Sequence, residues 1–363
     1  MLITRRDQIT ARTGDVELPF SGGFGFSDSS GSSIFRSVLE HLFREYERRD
    51  APGLSVMVIR GGQKLFARSY GLANLEDGIP CGLKTNFRLA SLTKQFTAMA
   101  VLILAGRKKL SLEERLNDFF PEFPAWGSGI TVRHLLTHTS GLIDYETLLP
   151  KGTTLPLLDR DVLRLLLRQD RTCFRPGAKY SYSNSGYALL ALIVEARSGN
   201  TFARFLKDNI FTPLGMTGTL AYEQGSSTVP NRAFGYTQKA RGFALTDQNL
   251  TSSVLGDGGV YSSVADLYRW DQALYATRLV SRKLLEEAFT PTRKTEFPGS
   301  GYGFGWFIGN YHGFKEIWHY GETVGFTTRI ARFPQRKLTV ILLANRTGAN
   351  LEPIPHLIVQ QVP

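Results

Sequence analysis

Phe87-Arg88-Leu89-Ala90-Ser91-Leu92-Thr93-Lys94 sets a serine and a lysine three residues apart, at the head of an apolar run that continues to Gly106. Residues i and i+3 share one face of a helix, with Cβ atoms about 5–6 Å apart. A neutral lysine amine at that distance can reach the serine hydroxyl and take its proton. An adjacent base of this kind is what makes a serine nucleophilic. No other Ser-x-x-Lys occurs in the 363 residues. Such a spacing arises by chance about once in a chain of this length, so its meaning rests on its surroundings.

Hydrophobic residues make up 42% of the chain, enough for a sizeable core. The 43 basic residues exceed the 32 acidic ones by 11, a balance that draws a protein toward nucleic acid or other polyanions when it is clustered. Here the cations are scattered. The densest runs, Arg44 to Arg49 and Arg107-Lys108-Lys109, are short and accompany no nucleic-acid motif, so no nucleic-acid partner is expected. Cys81 and Cys173 lie in no paired pattern and read as small core residues. Met1-Leu2-Ile3-Thr4-Arg5-Arg6 leads into polar sequence without the apolar run of a signal peptide. The apolar stretch Ala98 to Gly106 is too short to span a bilayer. As written, the chain reads as cytoplasmic, with no integral membrane segment.

Residues 1–33 include a Gly/Ser-rich stretch that reads as a flexible lead-in. Ile34 to Arg49 has apolar positions at helical spacing, and Leu54 to Arg60, Gly61-Gly62 and Gln63 to Tyr70 read as a hairpin. From Ser91 to about Phe289 the signals are mainly helical, among them Asp161 to Gln169, Ser185 to Arg197 and Ser263 to Ala276. After Pro291 strands return: Tyr302 to Ile308, Phe314 to Trp318, Gly325 to Arg332 and Lys337 to Ala344. The expectation is an α/β chain whose antiparallel sheet is built from both chain ends and flanked by helices. Its sheet part would be about 34–85 and 296–363, and an inserted helical part about 86–295.

Two further segments carry chemistry. Tyr182-Ser183-Asn184 falls in a loop ahead of a helix, and Trp318-His319-Tyr320-Gly321-Glu322 ends a strand. Taken with the flanking Leu135-Leu136-Thr137-His138-Thr139-Ser140-Gly141-Leu142, Pro213-Leu214-Gly215-Met216, Gly258-Gly259-Val260-Tyr261-Ser262-Ser263 and Tyr302-Gly303-Phe304-Gly305-Trp306, they resemble the serine β-lactamase and penicillin-binding family. The closer likeness is to its class C-like branch of esterases and D-aminopeptidases. The resemblance runs from about Ser33 to the C-terminus.

That resemblance implies a site in a cleft between sheet and helices. Ser91 would be the acylated nucleophile, Lys94 its base partner and Tyr182 a second acid/base group; which of the two is the primary base stays open. Asn184 would hold Lys94 or the substrate amide. His319 would stand where the family usually has a lysine. Gly321 would let substrate approach the strand, and the N–H groups of Ser91 and Glu322 would form the oxyanion hole. Lys94 would need its ordinary pKa of about 10.4 lowered by burial or positive neighbours. A histidine at 319 is a weaker, pH-dependent cation, which counts against efficient β-lactam cleavage.

The substrate class expected is a small ester, amide or peptide. A slow or non-catalytic binder of penicillins or cell-wall peptides on the same fold is the competing reading, and oligomeric state is left open. Relatives are often periplasmic or secreted. No cofactor or metal is expected. His134 and His138 are four residues apart but lack the glutamate of a zinc helix, and nucleophile-elbow and nucleotide motifs are missing. Tyr145 is a candidate cleft residue.

Overall fold

The computed structural model describes residues 37–362. The lead-in 1–33 and the first residues of the helix read from Ile34 lie outside the described residues. Eight strands form the main sheet. Leu54–Arg60 (β1) and Gln63–Tyr70 (β2) precede the helical middle, while Arg293–Lys294 (β3), Gly301–Tyr302 (β4), Phe307–Tyr311 (β5), Phe314–Thr323 (β6), Phe326–Phe333 (β7) and Leu338–Ala344 (β8) follow it. The order is β3-β4-β5-β6-β7-β8-β1-β2. Every neighbouring pair is antiparallel. Leu54 lies opposite Ala344, so strands from the two chain ends sit side by side in one sheet, with the β1–β2 hairpin forming its edge. The hairpin loop Gly61-Gly62 has φ of +55° and +80°, the left-handed pair that a two-residue turn demands and glycine supplies.

Side chains alternate across a strand, and the alternation sorts the core into two layers. Val56, Val58, Val340 and Leu342 pack outward against Leu39, Phe43 and the helix Ile354–Gln361. Met57, Ile59, Ile317, Ile330, Ile341 and Leu343 face the helical middle. At its centre stand Lys94–Gly106 (α1) and Asn184–Ser198 (α2). Residues 94–104 of α1 are all buried, as expected of a helix that is apolar on every side. Gly199 closes α2 with φ +70°, a left-handed cap.

Two expectations change. The run Tyr302 to Ile308 splits into β4 and β5 because the chain bends at Gly305, whose φ is +78°. A Cβ at Gly305 would stand 2.7 Å from the Lys94 carbonyl oxygen, so the glycine lets this bend back directly onto the start of α1. Cys173 is exposed rather than buried; it sits in a loop, where its backbone N–H donates to Gly141 O.

The strand β6 runs five residues past the apolar Trp318, through Gly321, with Gly321 opposite Thr328 on β7. Glycine inside a strand marks a close backbone approach. A Cβ there would collide with the Leu89 carbonyl and the Thr328 hydroxyl and lie 3.1 Å from the Ser91 nitrogen. What the glycine admits is the serine-bearing turn itself. Replacing it (Gly321→Ala) should cost about 1–3 kcal/mol of overpacking. Denaturant unfolding should show that loss, and covalent labelling of Ser91 should fall with it.

Candidate active site

Ser91 is positioned by a short, strained turn. Phe87–Arg88 pairs with the strand Val260–Ser262, after which Ala90 takes φ +49° and the chain enters a 3-10 turn, Ala90–Thr93, that runs into α1. A left-handed non-glycine residue costs about 1–2 kcal/mol. The bonds that hold it come from all sides: Leu89 N–H donates to Val260 O at 2.9 Å, the Thr328 hydroxyl donates to Leu89 O at 2.8 Å, and Val260 N–H donates to Thr93 Oγ1 at 3.1 Å. The result leaves Ser91 partly exposed while Lys94, one turn on, is fully buried.

The Lys94 ammonium nitrogen has three acceptors: Ser91 Oγ at 3.0 Å, Asn184 Oδ1 at 2.8 Å and the Asp257 carbonyl at 3.0 Å. The amine also lies 4.9 Å from the Tyr182 ring centre. Burial pushes its pKa below the usual lysine range, partly opposed by the carboxylates of Asp257, Asp144 and Glu146. Burial raises the Asp257 carboxyl in turn, so both members of the pair are biased toward their neutral forms.

Each acceptor is itself held. Asn184 opens α2, its N–H donates to Asp144 Oδ2 at 2.8 Å and its Nδ2 to Glu146 Oε1 at 3.1 Å. An amide with its NH₂ on a carboxylate must turn its oxygen to Lys94. The Asp257 turn is fixed by Asp159, which accepts from Leu255 N–H and Gly256 N–H at 2.9 Å each. Tyr145 is not a cleft residue: it is fully buried, and its hydroxyl donates to Asp257 Oδ2 at 2.9 Å.

Tyr182 brings its phenol to the Ser91 hydroxyl, and burial holds that phenol well above 10. It sits in an aromatic cluster. The His138 ring lies 4.2 Å from it, and Tyr302 and His319 lie at 6.4 and 6.3 Å between ring centres. His138 Nδ1 accepts from Ser183 N–H at 3.2 Å, fixing the backbone beside Tyr182. His134, its partner in the apparent zinc spacing, instead accepts from Thr131 N–H at 3.2 Å as a helix cap.

His319 differs from the expectation of a pH-dependent cation. It is fully buried, with Nδ1 2.6 Å from the Tyr320 carbonyl oxygen and Nε2 2.9 Å from the Tyr302 hydroxyl. The carbonyl can only accept, so the proton sits on Nδ1, and Nε2 accepts from Tyr302. Burial, then the nearby Lys94 charge, lowers its pKa to about 3. The ring is a neutral bridge between two strands.

The sequence-derived residues therefore gather in one place. Ser91, Lys94, Tyr182 and Asn184 share direct contacts, His319 joins through the aromatic cluster, and Gly321 abuts the Ser91 nitrogen. Glu322 follows on β6 with its side chain exposed. Sequence reasoning missed Asp144, Glu146, Asp257, His138 and Tyr302. The last two lie inside segments that carried the family resemblance, and Asp257 directly precedes another.

A family model described as Beta-lactamase matches residues 39–361. The chain is 34% identical over 328 residues to penicillin-binding protein 4* of Bacillus subtilis (strain 168), covering 86% of this chain and 72% of that protein. It is 29% identical over 331 residues to a D-aminopeptidase of Brucella anthropi, covering 88% of this chain and 61% of the relative. Among solved structures, the octameric penicillin-binding protein homologue from Pyrococcus abyssi superposes with a TM-score of 0.78 at 28% identity, covering 91% of this chain and 78% of that one. The chain belongs to the β-lactamase family. It is an enzyme of the serine hydrolase class.

The His319 geometry makes a prediction for stability. The unfolded chain takes up a proton on this histidine as pH falls through about 6.5, while the folded ring stays neutral down to about 3. Its contribution is thus complete above pH 6.5 and lost as pH falls toward 3. In His319→Asn, melting temperature should fall less steeply between pH 7 and pH 5 than in wild type. Parallel slopes for the two proteins would contradict the neutral assignment.

Proposed function

We propose that the protein cleaves esters or amide and peptide bonds through an acyl-enzyme on Ser91. The observation that carries this reading is the buried Lys94 amine 3.0 Å from Ser91 Oγ, with its pKa lowered by burial. A neutral Lys94 takes the Ser91 proton as the Oγ–carbon bond forms. Tyr182, whose own pKa is raised, is suited to hand a proton to the leaving group as the scissile C–O or C–N bond breaks, and it regains a proton from Lys94 rather than resting as an anion. In the second half-reaction water gives up a proton to this pair, the ester bond to Oγ breaks, and the acid leaves with Ser91 restored. The N–H groups of Ser91 and Glu322 would hold the oxyanion; losing one such donor costs about 10²–10³ in rate.

The Brucella relative named a D-aminopeptidase supports amides of D-amino acids as one substrate class. The neutral His319 supplies no cation for a β-lactam carboxylate, so nitrocefin should be at best a poor substrate.

The test compares wild type with Ser91→Ala and Lys94→Met on p-nitrophenyl butyrate, D-phenylalanine amide and a fluorescent penicillin. Wild type should turn over the ester or the amide, Ser91→Ala should take no covalent label, and Lys94→Met should lose about 10²–10⁴ in kcat. No turnover by wild type, with reversible ligand binding that survives Ser91→Ala, would overturn the reading in favour of a binding protein.

The pH profile gives an independent check. Since the base must be neutral, kcat/KM should rise with pH and level off below the ordinary lysine range near 10.4. A rise that continues through pH 10 would show that Lys94 is not the titrating base.

A further inference from the structure

β6 presents a second surface. His319 and Gly321 face Ser91, whereas Trp318, Tyr320 and Glu322, the alternate residues, line a 310 Å³ cavity with Arg329 of β7 and the segment from Gly348 to Glu352. That volume is within the range of ligand sites. Tyr320 lies directly opposite Arg329 in the ladder, and along β6 the cavity-lining residues alternate with His319 and Gly321.

Arg329 is the unusual feature. Its side chain is 7% exposed, and it stacks over Trp318 at 4.8 Å. Among the described residues its Nε has no hydrogen-bond partner. The carboxylate paired with it, Glu316, stands 3.9 Å from Nη2, an ion pair too long to be a hydrogen bond. The other Glu316 oxygen is taken by His356 at 2.9 Å. Buried guanidinium donors are costly to leave unsatisfied, and their planar fork matches a carboxylate. At the mouth of the same cavity stand Glu322 and Glu352, both exposed. With Glu296 they act together on Tyr320. A deep cation under an acidic rim is a reversal of sign within one small space, in a protein whose net charge is +11.

We propose that this cavity binds a free α-amino acid, its carboxylate on Arg329 and its ammonium between Glu322 and Glu352. No ligand with one charge alone satisfies both halves. The binding claim stands by itself; assigning that amino acid as the leaving half of a cleaved peptide rests on the hydrolytic reading above.

The experiment is calorimetric titration of full-length Ser91→Ala protein with D- and L-phenylalanine, D-phenylalanine amide and N-acetyl-D-phenylalanine. At least one free amino acid should bind, with tryptophan fluorescence changing through Trp318. The amide, lacking the carboxylate, and the N-acetyl compound, lacking the ammonium, should each bind at least about tenfold more weakly. Arg329→Met should abolish binding. Glu352→Gln, at an exposed position, should weaken it about tenfold with no change in melting temperature, which decides the matter if Arg329→Met does not fold. Absence of binding at millimolar amino acid, or equal binding of all four compounds, overturns the proposal. Because the titration uses the Ser91→Ala protein, it can fail while wild-type hydrolysis stands, and it can succeed where hydrolysis is absent.

Discussion

Burying one amine beneath a serine is the constraint from which the rest of the helical region follows. An amine removed from water is costly unless the hydrogen bonds it loses are replaced, and Lys94 finds partners on three separate stretches of chain: its own turn, the start of α2 and the turn ending at Asp257. Bringing those stretches together needs anchors of its own. Asp144 and Glu146 orient Asn184, Asp159 gathers the amides before Asp257, and the Gly305 bend closes on the Lys94 backbone. Carboxylates thus surround the amine without touching it, near enough to moderate the effect of burial and far enough not to fix the proton.

The same site stores conformational strain. Ala90 and His138 both adopt left-handed backbone; Ala90 directly precedes Ser91, and the His138 ring packs on Tyr182. Strain persists only where surrounding bonds over-determine the geometry. At Ala90 these come from the Val260 strand and from Thr328 on the main sheet. Ser91 is therefore locked to both halves of the core, and the missing side chain at Gly321 is what makes the second lock possible.

Much of this was legible in the sequence because it is local. The β1–β2 hairpin, the strands after Pro291 and the helices of the middle follow from periodicity and from Gly61-Gly62, Gly199 and Ser263. The break inside Tyr302 to Ile308 was not, since it depends on a contact with Lys94 some 200 residues away in sequence. The candidate site residues were recognisable as short motifs set in a familiar order. Their supports were not: Asp144, Glu146 and Asp257 are single carboxylates without a pattern, and their roles exist only through the amine they face. His319 shows the limit from the other side. Its position was readable but its charge was not, because burial and the carbonyl of Tyr320 decide the protonation state.

The alternation along β6 has a mechanical corollary. Neighbouring residues of a single strand serve different surroundings: Gly321 adjoins the Ser91 turn and His319 the aromatic cluster, while Trp318, Tyr320 and Glu322 line the outer cavity. An exchange of side chain at Tyr320 or Glu322 changes the wall of that cavity and leaves the opposite face of the strand as it was. An insertion or deletion of one residue within Phe314–Thr323 would interchange the two sets at a stroke. The strand can therefore accept a change of side chain far more readily than a change of length.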